Sequence, residues 1–197
     1  MKIAIIKYNA GNIQSVLFAL DRIGVDAVVT DDVQQIQNAD KVIFPGVGEA
    51  RSAMHYLKER KLDELISSLQ QPVLGICLGM QLLCNHSAEN DTTCLAVFPL
   101  RVTRFPENAA EGIKVPQIGW NNIYSLRSAL FNGIEENSYV YHVHGYFVED
   151  SSYTIAKCTH GLEYASAIKK DNFYGLQFHT EKSSVTGERI LKNFLDL

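Results

Sequence analysis

The sequence predicts a three-layer α/β domain, with a central mixed, largely parallel sheet flanked by helices and residues 1–197 forming one unit. Three observations predict it. Over the first 84 residues, β-branched runs alternate with helical periodicity, a pattern that implies parallel strands covered on both faces. From about residue 100, short β-rich runs dominate, which predicts antiparallel pairing added to that sheet. A composition of 46% hydrophobic and 20% charged residues over 197 positions fits a chain that buries a substantial core.

The elements follow in order. KIAIIK (2–7) reads as a strand closed by the turn Asn9-Ala10-Gly11-Asn12, after which Ile13, Val16, Leu17, Leu20 and Ile23 recur at helical spacing up to Gly24. VDAVVT (25–30) and KVIF (41–44) are the next strands. Pro45-Gly46-Val47-Gly48 then makes a turn into a helical stretch carrying Met54, Leu57 and Leu62. PVLGI (72–76) is an apolar strand that runs directly into helix-favouring CLGMQLLC (77–84). YVYHVHGYFV (139–148), YTIAKC (153–158) and FYGLQFH (173–179) read as strands. Residues 184–197 place Ile190, Leu191 and Phe194 on one helical face that packs back on the sheet.

Charge and hydropathy narrow the function classes. Eighteen basic against 22 acidic residues give a net charge of -4, and no basic run could track a phosphate backbone, so nucleic acid is not an expected ligand. No apolar stretch is long enough for a membrane-spanning helix or has the form of a signal peptide. The four cysteines are unevenly spaced without a CxxC pair, which suggests reduced thiols in the cytoplasm.

The strongest local signal is Gly75-Ile76-Cys77-Leu78-Gly79 between an apolar strand and a helix, the thiol counterpart of the G-x-S-x-G nucleophile elbow. Glycines two residues either side relieve crowding at a sharp turn that exposes the sulfur, and a helix N-terminus favours the thiolate. The other reading is that Cys77 is a small buried hydrophobe. Cys84, two helical turns further on, reads as core, and Cys94 and Cys158 have no comparable setting.

A thiolate attacking an amide needs a proton donor, and the chain has six histidines: His55, His86, His142, His144, His160 and His179. His179 ends a strand-like run and precedes Glu181. On a strand, residues i and i+2 face the same way about 6.6 Å apart, so Glu181 could orient the His179 ring. The alternative is a strand-end histidine beside a solvated glutamate. His142 and His144 share one strand face and could contribute to a metal site, although no third ligand is placed by spacing; a packed, hydrogen-bonded pair is the other reading. The glycines of Pro45-Gly46-Val47-Gly48 allow a backbone amide to turn toward developing negative charge, so this turn and the Leu78 amide are candidates for an oxyanion hole.

PGVG (45–48), PVLGICLGMQLL (72–83), PQIGWN (116–121), YHVHGY (141–146) and DNFYGLQFHTEKS (171–183) stand in an order that resembles the class I (triad) glutamine amidotransferases over nearly the full length. Within that family, Ala10-Gly11-Asn12-Ile13, PQIGWN and the C-terminal ILKNFL resemble the glutaminase subunits of imidazole glycerol phosphate synthases. The resemblance implies a triad of Cys77, His179 and Glu181, with Val47 and Leu78 amides as the oxyanion hole. It implies that Gly48, Gln81, Glu89 and the backbone of His144, Gly145 and Tyr146 hold glutamine. It further implies a (β/α)8-barrel cyclase as heterodimer partner, an interface that includes Asn12, Trp120, Tyr141 and Lys182, and no cofactor or metal. The other expectations are an amidotransferase subunit serving a different synthase, or a non-catalytic docking module of the same fold.

Four positions depart from the family pattern. Thr180 stands where proline is usual between the histidine and the glutamate, predicting a looser dyad. Gly145 replaces a serine or threonine and removes a hydroxyl near the substrate. Lys7 and Asn9 replace the common acidic residue and glycine of the first turn.

Overall fold

The computed structural model describes residues 1–9, 11–106 and 113–197; Ala10 of the expected first turn lies outside the described residues. The chain runs β1 (Ile3–Ile6), α1 (Ile13–Arg22), β2 (Val28–Thr30), α2 (Val33–Gln37), β3 (Lys41–Gly46), α3 (Ala50–Glu59), α4 (Leu62–Ser68), β4 (Val73–Cys77) and α5 (Leu78–Leu83). It continues through β5 (His86–Ser87), β6 (Thr92–Thr93), β7 (Arg101–Arg104), β8 (Gln117–Ile123), β9 (Ser138–His144), β10 (Tyr146–Val148), β11 (Thr154–His160), β12 (Leu162–Lys170), β13 (Phe173–Leu176) and α6 (Ser184–Leu195). Turns of 3₁₀ helix lie at Ala129–Phe131 and Thr180–Lys182.

Among the described residues, eleven strands form one sheet in the order β2-β1-β3-β4-β13-β12-β10-β7-β5-β6, with β11 paired to β12. The five strands from β2 to β13 are mutually parallel. From β12 outward the pairing is antiparallel, apart from the short parallel pair β5–β7. The mixed, largely parallel α/β architecture is therefore the one the sequence predicts. β8 and β9 form a separate antiparallel ribbon.

The parallel strands are apolar at almost every position because both faces are covered. In β1, Ile3 and Ile5 pack with Val16, Leu20, Ile190 and Phe194 of α1 and α6, whereas Ala4 and Ile6 pack with Ile36, Met54 and Leu57 of α2 and α3. Period-two alternation thus splits one continuous apolar run between two cores and produces the three layers.

The structure corrects several local expectations. The second strand is only Val28–Thr30. The helical stretch after the 45–48 turn is two helices, because Lys61 adopts a left-handed φ of 56° between them. The run 139–148 is two strands in different sheets, divided at Gly145. FYGLQFH is a strand only as far as Leu176, and this strand pairs parallel with β4 as well as antiparallel with β12.

β13 is last in sequence but central in space, which decides where the site forms. It pairs with β4 in the register Leu176↔Ile76, so residue 177 emerges level with Cys77. On the other side β3 pairs in the register Gly46↔Cys77, which brings Val47 and Leu78 out side by side.

Candidate active site

Cys77 ends β4 and caps α5 with φ 53° and ψ -108°, a backbone region that a side chain occupies only where its surroundings enforce it. The enforcing contacts are those of the flanking glycines. A Cβ on Gly79 would lie 1.8 Å from the Phe44 carbonyl oxygen, and one on Gly75 would lie 2.9 Å from the Gly79 carbonyl. Strand, elbow and helix therefore approach one another at a distance that only glycine permits. Gly46 is similarly constrained, since an added Cβ would sit 2.0 Å from the Tyr8 hydroxyl, which donates to the Pro45 carbonyl at 2.7 Å. Gly48 has φ 121°, and Glu49 then caps α3 by accepting from the Arg51 and Ser52 amides at 2.9 and 2.7 Å. Both ends of the Gly46–Glu49 turn are thereby fixed.

His179 and Glu181 meet at 2.6 Å between Nδ1 and Oε1, with side-chain exposures of 2% and 0%. Because the carboxylate only accepts, Nδ1 carries the proton and Nε2 is left for the cysteine. The contact is not the strand i, i+2 pair expected from sequence: His179 lies past the end of β13, and the 3₁₀ turn Thr180–Lys182 folds Glu181 back onto the ring. Burial lowers the His179 pKa, but hydrogen bonds to Cys77 and Glu181 outweigh it and raise the value to about 10. The other histidines have different occupations. His55 pairs with Glu59 on the surface, His86 with Asp91, and His160 bonds the Lys114 carbonyl.

Thr180 is itself tightly packed beside this dyad. Its carbonyl accepts from the Ser183 amide at 3.1 Å, and α6 packs so closely on it that a Cβ at Gly187 would lie 1.9 Å from the Thr180 oxygen. Packing supplies the restraint that a proline ring would otherwise give. Ser183 adds a clamp, donating to the His179 carbonyl at 2.6 Å and accepting from the Tyr141 amide at 2.9 Å. Asn12, expected at a partner surface, turns its carboxamide onto the Glu181 carboxylate.

A cavity of about 580 Å³ opens beside Cys77, lined by Val47, Gly48, Leu78, Gln81, Glu89, Arg104, Val115, Pro116, Val143, His144, Gly145 and Tyr146. The expected oxyanion and glutamine-holding residues thus all border one space, and Arg104, Val115, Pro116 and Val143 are additions that sequence reading missed. Burial raises the Glu89 carboxyl pKa, against a bond from the Ala50 amide at 2.8 Å, and nearby Glu49 adds to the rise. Gly145 has room for a side chain, with its virtual Cβ 3.7 Å from Pro116, so the missing hydroxyl is not a steric necessity.

His144 and His142 are packed and hydrogen-bonded. His144 Nδ1 donates to the Tyr146 carbonyl at 2.7 Å, and the Tyr164 hydroxyl lies 3.3 Å from both His144 Nε2 and His142 Nδ1. Burial pushes the His144 pKa down to about 3 and holds His142 well below its ordinary value, so both rings are neutral. Among the described residues, no group of three or more His, Cys, Asp or Glu side chains is arranged to hold a metal ion.

Gln177 also escaped the sequence reading. It is fully buried, with Nε2 3.8 Å from Cys77 Sγ and Oε1 3.0 Å from Gln81 Nε2. Its signal is a polar side chain within an apolar run, two residues before the histidine. Outside the pocket, Trp120 and Tyr141 make an edge-on ring pair at 5.9 Å across β8–β9, and Lys182 Nζ sits 6.0 Å over the Tyr141 ring.

The glutamine amidotransferase class-I family model matches residues 5–197. The imidazole glycerol phosphate synthase subunit HisH of Bacteroides thetaiotaomicron is 54% identical over 197 residues, covering all of both chains. That of Haemophilus influenzae is 43% identical over all of this chain and 98% of its own. Among solved structures, a glutamine amidotransferase from Thermotoga maritima superposes with a TM-score of 0.62 at 20% identity, covering 100% of this chain and 83% of its own. Another glutamine amidotransferase structure gives a TM-score of 0.75 at 15% identity, covering 98% and 97%; at such identities the likeness speaks for the fold alone.

Proposed function

The chain belongs to the class-I glutamine amidotransferase family, and from that premise we infer that it is the glutaminase subunit of an imidazole glycerol phosphate synthase, acting in histidine biosynthesis. The observation that carries this reading is an elbow cysteine that is hydrogen-bonded to a buried His–Glu pair and opens on a cavity bordered by every residue expected to hold glutamine.

In the proposed reaction, the Cys77 thiolate attacks the side-chain amide carbon of glutamine. The Val47 and Leu78 amides stabilise the resulting oxyanion. His179, protonated and held by Glu181, gives its proton to the departing nitrogen, and ammonia leaves a glutamyl thioester on Cys77. Water then attacks the thioester with His179 as base, releasing glutamate and restoring the thiolate. Glu89 and the Gln81 carbonyl oxygen are suited to the α-ammonium of glutamine, and backbone groups around Gly48, His144, Gly145 and Tyr146 to its remaining polar atoms. The chemistry needs no cofactor or metal.

The partner in this reading is a cytoplasmic (β/α)8-barrel cyclase forming a heterodimer, with ammonia passing to it without mixing with solvent. Trp120, Tyr141 and Lys182 form the docking face, and Asn12 links that side of the molecule to Glu181. The test is glutamate release by the purified chain, alone and with a barrel cyclase and its ligand. Cys77→Ala is expected to lower release by roughly 10⁴-fold or more. Release that persists in that variant would remove the glutaminase reading, and co-purification with a synthase that is not a barrel cyclase would redirect the partner.

A further inference from the structure

Gln177 connects the nucleophile to the wall of the substrate cavity. It follows Leu176, whose register with Ile76 brings it out beside Cys77, and its carboxamide spans from the sulfur on one side to Gln81 on the other. The orientation of this carboxamide is determined step by step. The Tyr146 carbonyl can only accept, so the Gln81 atom 3.3 Å from it is the NH2 group. That same NH2 faces Gln177 at 3.0 Å, so Gln177 must answer with its oxygen. The Gln177 NH2 is then turned toward Cys77 Sγ, at 3.8 Å.

A donor aimed at sulfur bonds a thiolate more strongly than a thiol, and a buried setting strengthens it further. We propose that Gln177 is a catalytic hydrogen-bond donor to the Cys77 sulfur, stabilising its anionic form, and that Gln81 sets this donor's orientation from the cavity wall. The proposal rests on the glutaminase reading of the site. It assigns Gln177 to both moments when sulfur carries charge: before attack on the amide, and when thioester hydrolysis expels the thiolate. Its effect therefore falls on kcat more than on KM. It also restricts Gln81, whose amide protons are both engaged, to meeting substrate through its oxygen alone.

Gln177→Glu is nearly isosteric but turns an oxygen toward the sulfur, and Gln177→Leu removes the donor without adding charge. Two readouts separate catalysis from packing: glutaminase kinetics, and the pH profile of Cys77 alkylation by iodoacetamide followed by peptide mass spectrometry. In Gln177→Glu, kcat should fall by roughly 10–100-fold with KM within about threefold, and the alkylation profile should move to higher pH. Gln177→Leu should show the same directions, with about a tenfold fall in kcat; it carries the test if the glutamate variant does not fold. An alkylation profile that superimposes on the wild type in a folded variant overturns the proposal, whatever happens to thermal stability. Failure of the glutaminase reading itself is recognised separately, as glutamate release that survives Cys77→Ala.

Discussion

The parallel half of the sheet, from β2 to β13, is packed on both faces by aliphatic side chains, whereas the β8–β9 ribbon has one buried face that is polar at the cavity end and one exposed apolar face. On the ribbon's inner side Gln117, His142 and His144 gather on the Tyr164 hydroxyl; on its outer side Ile118, Trp120 and Tyr139 are 65%, 52% and 60% exposed. The first region fixes Cys77 through backbone contacts that leave no room for a Cβ. The second holds its part of the site through hydrogen bonds, which are directional and give more readily than close-packed backbone. The two meet at His179, which donates its amide to the Tyr141 carbonyl at 2.9 Å and is clamped to the same strand by Ser183. A partner seated on the outer face of the ribbon would thus act on the base of the proposed triad, while the nucleophile stays where β4 puts it.

The largest expected effect is on the rigid side. Gly79→Ala drives a methyl against the Phe44 carbonyl and should cost about 3 kcal/mol, read as a lower denaturant midpoint at unchanged slope. Gly145→Ser in the second region meets only an ordinary contact, 3.7 Å from Pro116, and should change stability by no more than about 0.5 kcal/mol. Equal costs would erase the contrast between the two regions.

Next in size is a change at the joint. The folded pKa of His179, about 10, lies above its unfolded value, so its bound proton contributes stability that is complete below about pH 6.5 and lost as pH rises through about 10. In Glu181→Gln the carboxylate is gone. The fall in stability across that window should flatten, and the alkaline limb of kcat/KM should move to lower pH. Denaturation at stepped pH measures the first, and a pH–rate profile the second. An unchanged slope would mean that Glu181 does not hold the proton on His179.

The smallest effect on the chain itself is expected at Trp120→Ala, whose side chain is half exposed: stability should stay within about 0.5 kcal/mol. Affinity for a barrel cyclase should nevertheless drop by roughly 30-fold, as for an aromatic anchor, measured by calorimetric titration. Affinity that stays at the wild-type level would move the docking face elsewhere.

Much of the fold was legible in the first 84 residues, because a strand that is apolar on both faces and a helix with one apolar stripe leave different periods in sequence. The antiparallel part was harder to read. Tyr139 to Val148 is one β-rich run by composition, yet Gly145 divides it between two sheets; β12 went unread, although it lies between β13 and β10. Those partners are set by long-range pairing, which local pattern does not carry. Of the candidate site, Cys77 was legible from its glycines and His179 from its place before Glu181. Ser183, Arg104 and Gln177 were not, and Asn12 was read only as an interface residue, since the contacts that bring each of them to the site join residues distant in the chain.

The sequence by itself determined the elbow, because crowding at Gly75 and Gly79 is a backbone property of a strand passing straight into a helix. It also determined that the histidine and glutamate lie close, being two residues apart. Only the tertiary structure decided how they meet, through a 3₁₀ turn seated on Gly187 rather than along a strand or through a proline. It alone brought them to Cys77, since a strand late in the chain inserts beside β4 in a register fixed by inter-strand hydrogen bonds and packing.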